Sequence, residues 1–507
     1  MSDPLAPLLQ LAPAAVWAHF VTLCRTPRAS KAEGPLREQL QAWAEARGLQ
    51  AVVDAAGNLI VRKPASVGCE AAPGVVLQGH LDMVCQKNGG SPHDFSRDPI
   101  AAELRDGWVV APDTTLGADN GIGVALALAV LEDRSLVHGP VEALFTVDEE
   151  AGMGGAQGLA PGVLQGRLML NLDTEEWGEF YLGCAGGLDV NVQRPGQAEP
   201  CPPGYEAWRL SLRGLRGGHS GVNIHEERGN AIKLLVRVLM GLSEDAAVAG
   251  PGPRPLCLST LHGGTARNAL PREAVATLAL PVGQGAALAS ALAAWQARLR
   301  SELIGVEPGL VLSAEPAAVD AVLHAAEQRV WLTSLHAAPH GVRRMSQRVP
   351  GVVETSNNLG VVELGPQGGH ANFMVRSLVD SAAQALADEI VSLWALSGTE
   401  AACSGHYPGW SPDPASPLLA VCQAVYREQF GAESTVQVIH AGLECGIIAA
   451  KYPGIDIVSF GPTIRGAHAP GESVEVASVA RTWQLLTAIL AQLAQPQSAQ
   501  RQPARPA

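Results

Sequence analysis

The sequence predicts an α/β protein in which a sheet covered by helices carries a second, α+β domain inserted into its chain. Helix-like and strand-like segments alternate near both ends of the chain, as in sheets flanked by helices. Between them lies a block with a different order of strands and helices. The length of 507 residues suggests two to four domains.

The first part of the chain predicts two helices, then strands and one apolar helix. The two helices lie within residues 14–49 and are separated by a break at 27–30, where Ser30 and Glu33 resemble a capping box. Apolar runs bounded by turn residues predict strands at 49–54, 58–62, 74–78, 141–147 and 167–172 and a helix at 122–131.

The pattern changes near residues 183–187. The elements predicted from there on are a strand from 208, helices at 230–242, 288–303, 381–396 and 418–430, and strands at 435–440 and 455–460. We therefore expect a sheet domain formed by residues 1–185 and 400–493 and an inserted domain at 186–399. Residues 494–507, rich in Pro, Gln and Ala, predict a disordered tail.

Composition and charge exclude several classes of function. The chain carries 35 Lys and Arg against 49 Asp and Glu, a net charge of −14, which argues against a nucleic-acid partner because phosphates need a basic surface. No apolar run is long enough to span a membrane, and no basic residue precedes Arg25 as a secretory signal would require. Nine cysteines without a CxxC pair fit reduced thiols. These features predict a cytoplasmic protein.

Polar side chains follow the apolar strands at the points where the strands end. Because ligands of open α/β sheets collect at such ends, we expect these residues to converge. Buried carboxylates in that number need cations, and imidazole and carboxylate groups are ligands that Zn²⁺ accepts. Asp82 lies two residues after His80, on the same side of a strand, and could orient its ring. The residues are His80, Asp82, Asp119, Asp148, Glu149, Glu150, Asp173, Glu175, Glu176 and His468.

Each of these pieces alone is more often structural than functional, and it is their joint occurrence that favours a site. Competing motifs are missing from the sequence. Residues 225–229 lack the second His of HExxH, and residues 217–221 (GGHSG) place Ser one position too late for a GxSxG elbow. Neither a GxxxxGK[ST] loop nor a complete GxGxxG motif is present.

The sequence resembles a known family, the cytosolic non-specific or aminoacyl-histidine dipeptidases (peptidase D). They are a branch of the dinuclear zinc peptidases, together with carnosinases, carboxypeptidase G and aminoacylase. The resemblance covers the chain from the first helix to about residue 490. It rests on the segments GHLDMV, TTLGADNGIGVALALAVLED, TVDEEAGMGGAQGL, NLDTEEWGEFYLGCAGG, LRGGHSGVNIHEERGNA, GGTARNALPREA, HAGLECG and GPTIRGAHAPGE.

The resemblance implies a zinc-peptidase catalytic domain with a mixed sheet, an inserted lid and two divalent metal ions. Zn²⁺ is the first expectation for the metals, with Mn²⁺ or Co²⁺ as alternatives. His80 and Asp173 would hold one metal and Glu150 and His468 the other. Asp119 would bridge them and form a cis peptide with the next residue, Asn120.

The resemblance also implies catalytic roles. Glu149 would be the general base for a metal-activated water, and Asp82 would orient His80. If Glu149 and Glu150 lie in an extended strand, their side chains face opposite ways, so that one binds metal while the other acts as base.

Further residues would bind the substrate. His219 would stabilise the oxyanion, Asn268 would lie near the substrate, and Arg376 would bind its C-terminal carboxylate. Glu444, Glu175 or Glu176 would bind its amine. The lid would close over the substrate and could form a homodimer, with His219 acting in its own chain or in the partner.

The sequence therefore predicts a metal-dependent dipeptidase. Its substrates would be short peptides with a free N-terminus, including Xaa-His dipeptides such as carnosine. Neither a nucleic acid nor a membrane is expected as partner. The alternatives are an N-acyl amino acid deacylase with the same metals and a peptide-binding protein with a residual metal site. The intact set of ligands and Glu149 argue against the second.

Overall fold

The computed structural model describes residues 4–249 and 254–495. Residues 496–507, most of the predicted tail, lie outside the described residues. The chain divides into two compact units. Of the described residues, 4–183, 412–438 and 443–495 form the first unit, and Cys184–Ser411 with Ile439–Gly442 form the second.

The bounds of the elements follow in chain order. The α-helices of the described residues are α1 (Ala14–Arg25), α2 (Gly34–Glu45), α3 (Ala118–Glu132), α4 (Glu149–Gly152), α5 (Gly154–Gly158), α6 (Ala231–Glu244), α7 (Ala246–Ala249), α8 (Gly285–Glu302), α9 (Ala325–Ala337), α10 (Asp380–Ala395), α11 (Pro417–Phe430), α12 (Glu444–Lys451) and α13 (Val476–Leu493). The strands are β1 (Gln50–Val53), β2 (Leu59–Lys63), β3 (Val75–His80), β4 (Glu103–Arg105), β5 (Trp108–Val110), β6 (Val141–Thr146), β7 (Leu168–Asn171), β8 (Glu179–Cys184), β9 (Gly186–Pro195), β10 (Ala198–Pro200), β11 (Tyr205–Arg213), β12 (Cys257–Gly263), β13 (Ala274–Pro281), β14 (Val311–Ala317), β15 (Ala321–Leu323), β16 (Gly341–Met345), β17 (Val353–Gly365), β18 (Gly368–Ser377), β19 (Glu400–Tyr407), β20 (Thr435–Ile439), β21 (Asp456–Ser459), β22 (Ile464–Arg465) and β23 (Ser473–Glu475). Short 3₁₀ helices cover Ala6–Gln10 and Ile224–Glu226.

The first unit is built around an eight-stranded mixed sheet in the order β1-β2-β6-β3-β7-β21-β8-β20. Strand β3 is parallel to both β6 and β7, and β21 is parallel to β7, whereas β1 and β2 are antiparallel. Every residue of β3 and β6 is buried, which agrees with the mainly apolar sequences of these strands. The mixed sheet flanked by helices confirms the predicted fold class.

The buried helix α3 brings one polar segment to the sheet edge. Its apolar run from Ile122 to Leu131 is buried throughout, because the helix packs against β3 on one side and α1 on another. The carboxyl ends of the parallel strands β3, β6, β7 and β21 meet at one edge of the sheet. Residues that follow these strands are therefore brought together there.

The second unit contains a nine-stranded antiparallel sheet. Its order is β14-β11-β13-β12-β17-β18-β9-β19, with β16 paired to β17 at the side. Helices α6 and α10 pack on this sheet. Strand β19 pairs with β9, so residues 400–407 belong to the second unit, although the sequence placed them in the sheet domain. No helix in the described part of the chain has the length and apolar character of a membrane span.

Candidate metal centre

Two groups of three side chains meet at the carboxyl edge of the first unit's sheet, and Asp119 belongs to both. Within each group, one ligand atom per residue lies within 4.8 Å of the others. In the first, His80 Nε2 lies 3.1 Å from Asp119 Oδ1 and 3.5 Å from Asp173 Oδ1. In the second, His468 Nε2 lies 3.2 Å from Asp119 Oδ2 and 3.1 Å from Glu150 Oε2. The residues predicted as metal ligands therefore lie together, with the two oxygens of Asp119 divided between the groups.

The backbone around Asp119 is irregular. The peptide bond between Asp119 and Asn120 is cis, as the resemblance implies. Neither residue has helical dihedral angles, although both lie within the bounds of α3. The Asn120 amide donates to the carbonyl oxygen of Leu172 at 2.7 Å, next to Asp173. This bond links the segment that carries Asp119 to the one that carries Asp173.

The electrostatics of the cluster fit divalent cations. Burial raises the pKa of Asp173 to about 8, against the opposing effect of His80. Hydrogen bonds to Asp119 and Glu150 raise the pKa of His468 to about 11. In the protein without metal, protonated imidazole thus balances negative charge of the carboxylates that a divalent cation would also balance. Oε1 of Glu150 is buried without a hydrogen-bond partner, and a set of imidazole nitrogens and carboxylate oxygens suits Zn²⁺.

Asp82 connects His80 to the segment that follows β6. Its Oδ1 lies 3.4 Å from His80 Nδ1 and accepts the Glu149 N–H at 3.0 Å. Its Oδ2 accepts the Glu150 N–H at 3.1 Å and the Ser30 hydroxyl at 2.7 Å. These contacts agree with the orienting role predicted for Asp82 and add a second one, because the carboxylate also receives the first N–H groups of α4.

One local prediction is wrong, and the condition set for another is not met. Glu149 and Glu150 open the one-turn helix α4 and do not lie in an extended strand, so their side chains diverge by about 100° instead of pointing opposite ways. Ser30 and Glu33 form no capping box at α2. Glu33 instead accepts the Asp148 N–H at 2.8 Å, while Ser30 binds the Asp82 carboxylate, so both serve the cluster.

Glu149 has the surroundings of a general base. It lies with His80 and Glu150 in a third group of close polar atoms. Partial burial raises its pKa well above the usual carboxyl range, His80 opposes this rise, and Asp173 and Glu444 reinforce it. A raised pKa favours proton transfer near neutral pH.

Glu444 is a buried carboxylate with one free oxygen. Its Oε2 accepts bonds from Gln78 Nε2 at 2.7 Å and the Thr146 hydroxyl at 2.6 Å, whereas Oε1 has no partner. Burial raises its pKa to about 7. Of the other residues considered for the substrate amine, Glu176 is paired with Arg465 at 2.8 Å. Burial raises the pKa of Glu175 to about 7.

The second unit brings His219 and Arg376 together. Nδ1 of His219 accepts the N–H groups of Gly221 and Val222 at 3.2 and 3.0 Å, so the ring proton lies on Nε2. Burial, reinforced by Arg376, lowers the pKa of His219 to about 4, and the ring is therefore neutral at pH 7. Its Nε2 is thus a donor, 3.5 Å from Nη2 of Arg376.

The Arg376 guanidinium has neutral partners. It is 4 % exposed and donates to the Tyr407 hydroxyl at 2.8 Å and the Ser220 hydroxyl at 3.5 Å. Among the described residues, it makes no contact with a carboxylate. The side chain of Asn268 is exposed, and the backbone carbonyl oxygen of Asn268 accepts the Ser220 N–H at 2.8 Å. The buried positive charge of Arg376 therefore has no counterion among the described residues and could be balanced by a bound anion.

Comparisons with known proteins define the class. Peptidase family M20/M25/M40 matches residues 76–492, and this chain belongs to that family. The cytosol non-specific dipeptidase of Escherichia coli (strain K12) is 44% identical over 487 residues, which cover 96% of this chain and 99% of that protein. The resemblance stated from the motifs is thereby confirmed.

Solved structures agree. The crystal structure of aminoacylhistidine dipeptidase from Vibrio alginolyticus matches with a TM-score of 0.86 and 42% identity, over 95% of this chain and 97% of that one. Aminopeptidase PepT from Bacillus cereus ATCC 10987 matches with a TM-score of 0.54 and 17% identity, over 96% of this chain and 100% of that one, and shares the fold.

Proposed function

We propose that this chain is a metal-dependent dipeptidase that hydrolyses short peptides with a free N-terminus, including Xaa-His dipeptides such as carnosine. One observation carries this proposal: the Asp119 carboxylate is shared by two groups of metal-binding side chains, with Glu149 beside them. The similarity to two dipeptidases along nearly the whole chain supports the same reaction.

Different residues of the candidate metal centre would carry out different steps of hydrolysis. His80 and Asp173 would hold one ion, Glu150 and His468 the other, and Asp119 both, with Zn²⁺ as the first expectation and Mn²⁺ or Co²⁺ as alternatives. When bound, two divalent ions acidify water and polarise a carbonyl. Glu149 accepts a proton from the attacking water and delivers it to the leaving amine.

Three further side chains would bind the substrate. The Nε2–H of His219 would donate to the developing oxyanion, because the ring is neutral and its Nδ1 already accepts two bonds. Arg376 would bind the C-terminal carboxylate. The free oxygen of Glu444 would accept a bond from the substrate ammonium group.

The expected contact with Glu444 distinguishes the two candidate activities, because an N-acylated substrate has no ammonium group that could bind the free oxygen of Glu444. A deacylase would leave the free carboxylate oxygen unsatisfied. This favours free dipeptides over N-acyl amino acids.

The resemblance also supports a lid role for the second unit and a homodimer formed through it, and the name of the Escherichia coli relative supports a cytoplasmic location. Mixing inactive His219→Ala and Glu149→Ala chains tests the dimer. Recovered activity would show that His219 acts in the active site of the partner chain. No recovery after proven subunit exchange would show that it acts in the active site of its own chain.

The main test measures hydrolysis of carnosine, Gly-His, Ala-Ala and N-acetyl-His by the purified protein. Each substrate is tested with the protein as isolated, after chelation, and after addition of Zn²⁺, Mn²⁺ or Co²⁺. We expect cleavage of the free dipeptides alone, lost on chelation and restored by metal. Cleavage of N-acetyl-His alone would show a deacylase, and no turnover with two bound ions would show a binding protein.

A further inference from the structure

Two buried charged side chains that are not predicted ligands hold the segment carrying Asp119. The first is Glu472, which is 2 % exposed. Its Oε2 accepts the N–H groups of Leu116 and Gly117 at 2.7 and 3.0 Å. Its Oε1 accepts those of Ala118 and Asp119 at 2.7 and 3.3 Å. One carboxylate thus binds four consecutive backbone N–H groups that end at Asp119.

The second is Arg28, which is also 2 % exposed. Its Nη1 donates to the carbonyl oxygens of Leu81 and Asp82 at 2.9 and 2.8 Å. Its Nη2 donates to the carbonyl oxygen of Gly117 at 2.5 Å. Gly117 has a φ of 69°, and a Cβ at this position would clash with Arg28 and lie 2.9 Å from Met83 Sδ. The close approach of the guanidinium therefore requires glycine.

The two side chains act on opposite sides of one backbone segment. Glu472 binds its N–H groups and Arg28 binds one of its carbonyl groups, so the backbone entering Asp119 is fixed without use of the Asp119 carboxylate. Glu472 lies four residues after His468. Arg28 reaches the segment directly after His80. The pair therefore joins the segments of both histidines to that of the shared carboxylate.

We propose that Arg28 and Glu472 are positioning residues that preset the backbone of Asp119 and thereby determine how tightly the two metal ions bind. This inference rests on the proposed function, in which Asp119 bridges two cations. A bridging carboxylate serves both ions only within a narrow range of positions, so residues that fix its backbone control affinity. Neither residue is assigned a contact with the substrate or a part in proton transfer.

Glu472→Gln is the most specific variant for this test, because the side chain keeps its size while one oxygen becomes an NH₂ group. That group would face backbone N–H donors and could not accept from them. Glu142→Gln is the matched control. Glu142 is 5 % exposed and its carboxylate accepts the N–H groups of Gln165 and Gly166, both at 2.7 Å, and the Arg62 guanidinium at 2.9 Å. None of its partners is a predicted ligand.

The experiment titrates the chelator-treated full-length chain with Zn²⁺ in a calorimeter and records thermal unfolding of each variant by circular dichroism. We expect the wild type to bind two ions. Glu472→Gln should bind at least one of them ten or more times more weakly and recover dipeptide hydrolysis at raised Zn²⁺. Glu142→Gln should lose thermal stability, with Zn²⁺ affinity within twofold of the wild type.

Arg28→Lys provides a second variant if Glu472→Gln fails to fold. A lysine ends in a single nitrogen and cannot place two nitrogens as the guanidinium does, one on Leu81 and Asp82 and one on Gly117. The same tenfold weakening is expected. Wild-type affinity in the folded variant, or equal losses in Glu142→Gln, would overturn the inference while leaving the dipeptidase intact. A wild type that binds no ion would instead overturn the proposed function and, with it, this inference.

Discussion

At the scale of single residues, Arg376 gives the most selective prediction. Its guanidinium donates to the hydroxyls of Ser220 and Tyr407 and lies next to the neutral ring of His219, so its charge has no counterion among the described residues. We expect Arg376→Ala to raise the KM for Gly-His about 10- to 100-fold, as loss of a charged hydrogen bond does. Steady-state kinetics with the C-terminal amide of the same dipeptide should show little change.

Arg267→Ala is the control for this prediction, because the Arg267 guanidinium is half-exposed and already bound to Asp189 at 2.5 Å. Its KM for Gly-His should stay close to that of the wild type. If Arg376→Ala raised the KM for Gly-His and for its C-terminal amide equally, Arg376 would not bind the substrate carboxylate.

Buried histidines of the second unit predict loss of stability in acid. Burial lowers the pKa of His440 from 6.5 to about 3, with Arg376 and His219 adding to the effect. Between these pKa values the unfolded chain binds more protons than the folded one. The contribution of His440 to the free energy of unfolding is therefore constant above pH 6.5 and decreases as the pH falls below it. His440 should contribute a slope of up to about 1.4 kcal/mol per pH unit.

Urea unfolding at a series of pH values measures this slope. The His440→Gln variant should lose less stability between pH 6.5 and 4 than the wild type, whatever its stability at pH 7. The contribution of His440 would be refuted by parallel curves for the two proteins.

The ligand residues could be predicted from sequence because each follows an apolar strand or precedes an apolar helix, which are local features. Arg28 and Glu472 could not, since the atoms they bind lie 89 and up to 356 residues away along the chain. Ser30 and Glu33 show the same limit. Their spacing fits a local cap, but the fold offers them stronger partners in Asp82 and Asp148.

At the scale of elements, the packing of α3 against the neighbouring strand ends depends on glycine. A Cβ on Gly123 would clash with the Leu172 carbonyl oxygen and lie 2.6 Å from Asn120 Oδ1. We expect Gly123→Ala to destabilise the protein by about 1–3 kcal/mol, as overpacking does, and to weaken Zn²⁺ binding because Asn120 must move. Thermal unfolding and calorimetric titration measure the two effects.

Gly34→Ala is the control for this change, because the added methyl group meets nothing within 4 Å. It should leave both stability and Zn²⁺ affinity close to wild type. A Gly123→Ala protein with unchanged Zn²⁺ affinity would show that the packing of α3 does not affect metal binding.

Most elements of the first unit follow from their apolar patterns, and the elements of the chain that differ from prediction have a physical reason. Strand β19 of the second unit is exposed along nearly its whole length and shows no alternation of apolar residues, so its pairing with β9 could not be read from sequence. The one-turn helix α4 is held by the Asp82 carboxylate, which lies far from it in sequence. Both depend on tertiary contacts.

At the scale of the whole molecule, the metal ions should stabilise the fold. The cluster brings several partly buried carboxylates together, and burial raises the pKa of Asp173 to about 8 in the protein alone. Ligands that bind only the folded state stabilise it by about 2.7 kcal/mol at 100 times their Kd. Calorimetric melting should therefore show a lower Tm after chelation and recovery with added Zn²⁺. An unchanged Tm would contradict tight binding to the folded state.

In the proposed mechanism the residues around Asp119 hold two ions while Glu149 moves the proton. The most direct measurement compares wild type and Glu149→Gln for bound Zn²⁺ per chain and for kcat on Gly-His. We predict two ions in both proteins and a kcat lowered by about 10²–10⁴-fold in the variant, the usual contribution of a general base. Two ions with undiminished kcat would contradict the role of Glu149, and fewer than two in the wild type would contradict the dinuclear centre.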